Sequence, residues 1–97
     1  MAVFGYGRVS TAQQDTENQR LELEQAGWTF DFWFADIVSG KVQAIQRKAF
    51  AEMLGKLRSG ETLVVAKLDR LGRDAIDVLQ TVRMLPQPAL LFLVADK

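Results

Sequence analysis

Apolar and polar positions along the chain change period several times. Ala2 to Val9 is an apolar, β-rich run that predicts a first strand. Gln13 to Ala26 is rich in Gln, Glu and Leu, all good helix formers, and Gly27 supplies a stop signal. Trp28, Phe30, Phe32 and Phe34 alternate with Thr29, Asp31 and Trp33, which is the period of a strand. The segment Asp36-Ile37-Val38-Ser39-Gly40-Lys41 reads as a loop. Phe50, Met53, Leu54 and Leu57 then fall at helical spacing on one stripe, and Gly60 ends that helix. Thr62 to Ala66 is a short, nearly continuous apolar run that suits a strand buried on both faces. Asp74 to Leu85 predicts a third helix, with Ile76, Leu79 and Val82 on one side, and Pro86 and Pro88 break it. Ala89 to Val94 predicts a fourth buried strand.

The order is β-α-β-α-β-α-β. Such alternation predicts an α/β domain with a mainly parallel open sheet of about four strands, right-handed crossovers and helices on both faces. With 97 residues the chain is one domain, and residues 1–97 are read as a partial one. A sheet whose last strand has no covering helix is an awkward end for a domain, so a truncated protein is expected. No stretch approaches the ~20 apolar residues needed to span a bilayer. The opening Met1-Ala2-Val3-Phe4-Gly5 lacks the basic start of a signal peptide, and a cytoplasmic location without membrane contact is expected.

Composition narrows the chemistry. The chain has no His and no Cys, which excludes Ser-His-Asp catalysis, thiol nucleophiles, disulfides and zinc fingers. An enzyme built from it works with hydroxyls, carboxylates, amides, Lys and Arg. The net charge is zero but unevenly spread. Residues 1–40 carry two Lys/Arg against six Asp/Glu, whereas residues 41–73 carry eight against three. A central basic block can meet a polyanion such as nucleic acid, although solvated surface lysines and arginines give the same count.

Ligands of a parallel α/β sheet bind beyond the carboxyl ends of its strands, and three features fall there. In Tyr6-Gly7-Arg8-Val9-Ser10 the period of two puts Arg8 and Ser10 on one side. Ser39-Gly40-Lys41 follows the second strand. Lys67-Leu68-Asp69-Arg70-Leu71-Gly72-Arg73 follows the third, with Arg70 and Arg73 three residues apart. A serine among arginines suits attack on a phosphodiester. Guanidiniums grip phosphate oxygens and stabilise charge that builds in the transition state. The ordinary alternative is a helix-capping Ser10 beside surface arginines. The aromatic run Trp28, Phe30, Trp33 and Phe34 could stack bases, but its alternation is already explained by core packing. Tyr6 is read as structural or as a supporting hydroxyl rather than a nucleophile.

Tyr6-Gly7-Arg8-Val9-Ser10-Thr11 with Gln14 and Gln19, Ser39-Gly40-Lys41 with Arg47, and Lys67 through Asp74 resemble, in order, the motifs of the serine site-specific recombinases, the resolvase/invertase family. The match runs from Met1 to about Leu85. The resemblance implies a resolvase-like catalytic domain that cuts and rejoins DNA through a 5′-phosphoseryl intermediate, without metal, nucleotide or other cofactor. It implies Ser10 as nucleophile and Arg8, Arg70 and Arg73 as phosphate-gripping and transition-state arginines. Asp69 would be the site carboxylate and Gln19 an orienting polar residue, with Arg47 and Lys56 as basic residues near the phosphate. It further implies DNA as partner, with self-association to a dimer and tetramer in the full-length protein.

Two departures stand out. Lys48 occupies a position where the family usually has Pro, and Pro86-Gln87-Pro88 replaces a Gly-containing link. The family's long dimerisation helix and helix-turn-helix DNA-binding domain are not in this chain. The alternative function is therefore an inactive fragment or regulatory module that associates with recombinase partners or DNA.

Overall fold

A computed structural model describes residues 2–10, 16–65, 71–86 and 90–93. The elements run β1 (Val3–Val9), α1 (Thr16–Gln25), β2 (Phe32–Ile37), a 3-10 turn (Ala44–Gln46), α2 (Lys48–Lys56), β3 (Thr62–Val65), α3 (Ala75–Met84) and β4 (Leu90–Leu93). The strands form one sheet in the order β2-β1-β3-β4, and every recorded pairing is parallel. The expected α/β architecture is present, with four parallel strands.

Burial on both faces follows from alternation within β1 and β3. Phe4, Tyr6, Leu63 and Val65 face one side, where Phe50, Met53 and Leu57 of the α2 segment and Val78 of α3 complete the larger core. Val64 faces the other side and packs with Leu23 of α1, Val3, Trp28, Phe30 and Trp33. The aromatic run is therefore packing material, except that Phe32 remains half exposed at the sheet edge. Each fully buried large side chain such as Phe50 contributes about 2 kcal/mol through surface removed from water.

Two glycines make the smaller core possible. A Cβ on Gly5 would lie 2.6 Å from the Trp33 ring, and one on Gly7 2.8 Å from the same ring. The indole thus lies flat against bare β1 backbone, a place no larger residue could concede without moving it.

Several boundaries differ from the pattern reading. The second strand begins at Phe32, not Trp28, and continues through Asp36 and Ile37, which pair with Arg8 and Val9. α2 stops at Lys56, with Leu57 already extended. The positive-φ Gly60 serves the turn into β3, not the helix end itself. In α3 the buried residues are Asp77, Val78 and Thr81, whereas Ile76 and Leu79 are 69% and 61% exposed. Of the expected stripe, Val82 packs against the larger core, while Ile76 and Leu79 point outwards on a helix whose Asp77 is hydrogen-bonded inwards.

Candidate active site

The site begins at the carboxyl end of β1. Arg8 follows Phe4 and Tyr6 on their face of the sheet but lies where that core ends. Its Nη1 donates to Ser10 Oγ (3.1 Å) and to the Val38 carbonyl beyond β2 (3.0 Å). Gly40 lies beside the same guanidinium, its ideal Cβ position 3.4 Å from Arg8 Nη2. The first two motifs thus meet at one arginine. Ser10 is exposed, six residues before the first residue of α1, and its hydroxyl is held by Arg8.

Gln19 holds the backbone of this arginine. Its Oε1 accepts from the Arg8 N–H (3.1 Å) and its Nε2 donates to the Arg8 carbonyl (2.8 Å). The Val9 carbonyl bonds towards β2 and the Ala2 carbonyl towards β3, so even-numbered residues of β1 turn their backbone groups to the β3 side. Gln19, from α1, supplies a partner to both backbone groups of Arg8.

Below the site lies a buried polar group. The Tyr6 hydroxyl donates to Asp36 Oδ2 (2.7 Å). Asp36 also accepts from the backbone N–H groups of Ala49 (2.8 Å, at Oδ1) and Phe50 (3.0 Å, at Oδ2). A residue of β2 thus caps α2, whose own N-cap position, Arg47, makes no side-chain capping bond. Burial is the main cause that pushes the Tyr6 phenol well above its ordinary range. The Asp36 carboxylate adds to this, and the Arg47 guanidinium partly offsets it by hydrogen bond and charge. Arg47 itself is fully buried, with Nε donating to the Val42 carbonyl (3.1 Å).

Arg73 is exposed in the segment before α3, its Nε 3.9 Å from Asp74 Oδ2. Its backbone N–H is held by Asp77 Oδ2 (2.9 Å). Lys56 lies over the Phe34 ring at 5.7 Å. It is seven residues along α2 from Ala49, roughly 10 Å at the helical rise, so the structure does not gather it with Arg8 and Ser10. Lys67, Asp69 and Arg70 lie outside the described residues.

The structure thus brings together Arg8, Ser10 and Gln19, and buries Arg47 beneath them with Tyr6 and Asp36. The sequence reading placed Asp36 in a loop, although Phe32, Phe34 and Asp36 share one face by period two and a carboxylate there was the signal. Asp77, in the first turn of α3, is buried, and nothing in its local sequence signals that. Among the described residues no cluster of acidic side chains could hold a metal ion, and no helix is long and apolar enough to cross a membrane.

An open parallel sheet packed on both faces, with a serine held by an arginine at a strand's carboxyl end, defines an α/β domain with a polar site at its strand ends. The family model for the resolvase N-terminal domain matches residues 3–97, and the chain belongs to that family. It is 46% identical over 85 residues to the Transposon Tn2501 resolvase of Escherichia coli, covering 86% of this chain and 44% of that protein. It is 40% identical over 87 residues to the serine recombinase PinR of Escherichia coli K12, covering 88% of this chain and 44% of the relative. Among solved structures, a serine recombinase from Sulfolobus solfataricus superposes over the whole chain and 72% of its own, with a TM-score of 0.73 at 27% identity. The chain spans somewhat under half the length of the curated relatives it matches.

Proposed function

We propose that this chain is the catalytic domain of a site-specific serine recombinase. In this reading Ser10 Oγ attacks a DNA phosphodiester. The Oγ–P bond forms as the P–O3′ bond breaks, and the departing 3′-oxygen takes up a proton. The product is a 5′-phosphoseryl link and a free 3′-hydroxyl. Rejoining is the reverse displacement by a 3′-hydroxyl on the phosphoseryl ester. Because one phosphodiester replaces another, the cycle conserves bond energy and needs no nucleotide.

The observation that carries the reading is the Arg8–Ser10 contact of 3.1 Å at the carboxyl end of β1. A fixed cation beside the hydroxyl favours its alkoxide and faces the phosphate oxygens on which charge accumulates. Gln19 fixes the backbone that carries this cation. Arg73 projects to solvent and supplies a second guanidinium to the phosphate. Arg70 and Asp69, which precede it, complete the reading as phosphate grip and proton-transfer carboxylate. Arg47 acts from beneath by holding Tyr6, and Lys56 touches the DNA backbone outside the reacting centre. DNA is the partner, and dimers and tetramers form in the full-length protein.

The test is covalent capture. The full-length protein carrying these residues is incubated with DNA containing its crossover site, denatured and examined for a protein–DNA adduct. The adduct is expected for the unsubstituted protein and absent for Ser10→Ala, with the variant's unfolding curve unchanged. An adduct that persists in Ser10→Ala overturns the nucleophile.

A further inference from the structure

Asp77 lies buried in the first turn of α3. A carboxylate is costly in a core unless hydrogen bonds replace its water. Its Oδ2 accepts from two backbone N–H groups on separate segments, Ala44 at 3.1 Å and Arg73 at 2.9 Å. Ala44 opens the 3-10 turn that leads into Arg47, and Arg73 carries its own guanidinium into solvent. One oxygen thus ties together the two segments that deliver these arginines.

The surroundings hold that oxygen in place. The Asp77 N–H donates to Asp74 Oδ1 (2.8 Å), and the Asp77 carbonyl accepts from the Thr81 hydroxyl (2.7 Å). Gly72 passes directly against the carboxylate. A Cβ there would lie 3.0 Å from Oδ2 and 2.7 Å from the Val78 nitrogen. Gly72 is thus the residue that lets the backbone come close enough for the Arg73 N–H to reach.

We infer that Asp77 is a positioning residue, a clamp that fixes where Arg73 meets the scissile phosphate relative to the segment bearing Arg47. This rests on the recombinase reading, in which Arg73 touches the reacting phosphate. The clamp works through geometry rather than charge. Both bonds end on one oxygen, and the amide oxygen of Asn can accept the same two donors, whereas an apolar side chain of similar size cannot.

The test compares Asp77→Asn and Asp77→Leu in the full-length protein, reading the rate of adduct formation at saturating DNA, the apparent DNA affinity and urea unfolding. Asp77→Leu is expected to slow adduct formation at least tenfold while DNA affinity stays within threefold. Asp77→Asn is expected to stay within threefold on both. If Asp77→Leu does not fold, Gly72→Ala, which pushes the backbone off an intact carboxylate, carries the same expected slowing. An Asn variant as slow as Leu, or a folded Leu variant of full rate, overturns the clamp. So does a loss that falls entirely on affinity. Absence of any adduct from the unsubstituted protein, or an adduct surviving Ser10→Ala, overturns the recombinase reading and with it the role of Arg73. An adduct that Ser10→Ala removes and Asp77→Leu spares overturns the clamp alone.

Discussion

Tyr6 keeps its proton in the folded chain because burial and the neighbouring Asp36 both disfavour a phenolate. An unfolded chain releases that proton near the ordinary phenol value of 10.0. The folded value is the higher one, so the stabilising contribution is intact below pH 10 and is lost as pH rises beyond it. The slope for this single group reaches about 1.4 kcal/mol per pH unit. Urea unfolding between pH 9 and 11.5 is expected to show that decline, and Tyr6→Phe is expected to flatten it. Asp36 is exposed to a different loss. Asp36→Ala strands the Tyr6 hydroxyl and two helix N–H groups at once, and a cost of about 3 kcal/mol is expected from unfolding curves. Gly7→Ala drives a methyl into Trp33 and towards Gln19, whose Oε1 lies 3.0 Å from the added atom. A destabilisation of about 2 kcal/mol is expected from that overpacking.

At the scale of elements, α2 shows how a departure from a family pattern is absorbed. Lys48 is the first residue of the helix, and Arg47 before it is extended at φ −81° and ψ 126°. That backbone is what a following proline requires, and a first-turn N–H has no intrahelical acceptor to lose. Lys48→Pro is therefore expected to raise stability by about 0.5 kcal/mol, chiefly by restricting the unfolded chain. The start of α2 does not depend on residue 48, because Asp36 caps it from the neighbouring strand. α3 teaches the converse. Its apolar residues Ile76, Leu79 and Val82 promised a buried stripe, yet only Val82 packs against the core, and the helix buries Asp77, Val78 and Thr81 instead of the other two. Helical period alone locates a face but not its direction. Here the inward side is shared by one carboxylate with two backbone donors and by Val78, Val82 and Leu85.

Across the whole molecule the sheet separates structural from chemical work. Its two faces are packed, while Arg8, Ser10 and the segment through Gly40 meet beyond the carboxyl ends of β1 and β2. Exposed Ile76 and Leu79 stand apart from both cores. Ile76→Glu combined with Leu79→Lys is expected to change stability by less than about 1 kcal/mol, since neither side chain is withdrawn from water here. A larger loss in thermal unfolding would show that this face is packed within the chain.

The order of strands and helices, the parallel sheet and the pairing of Arg8 with Ser10 were all legible in the chain. They depend on periodicity and on near neighbours, which sequence records directly. Three ordered motifs made the family legible as well. Other features were decided only in three dimensions. Asp36 looked like loop because its partners, Tyr6, Ala49 and Phe50, lie 13 to 30 residues away. Gln19 matched a motif, but its two bonds to the Arg8 backbone appear only when α1 lies across the strand. Asp77 shows no role in its local sequence, and only the fold brings the N–H groups of Ala44 and Arg73 onto its oxygen. In each case a buried polar group must find its partners wherever the fold brings them. Local sequence shows that such a group exists, and tertiary structure decides what it holds.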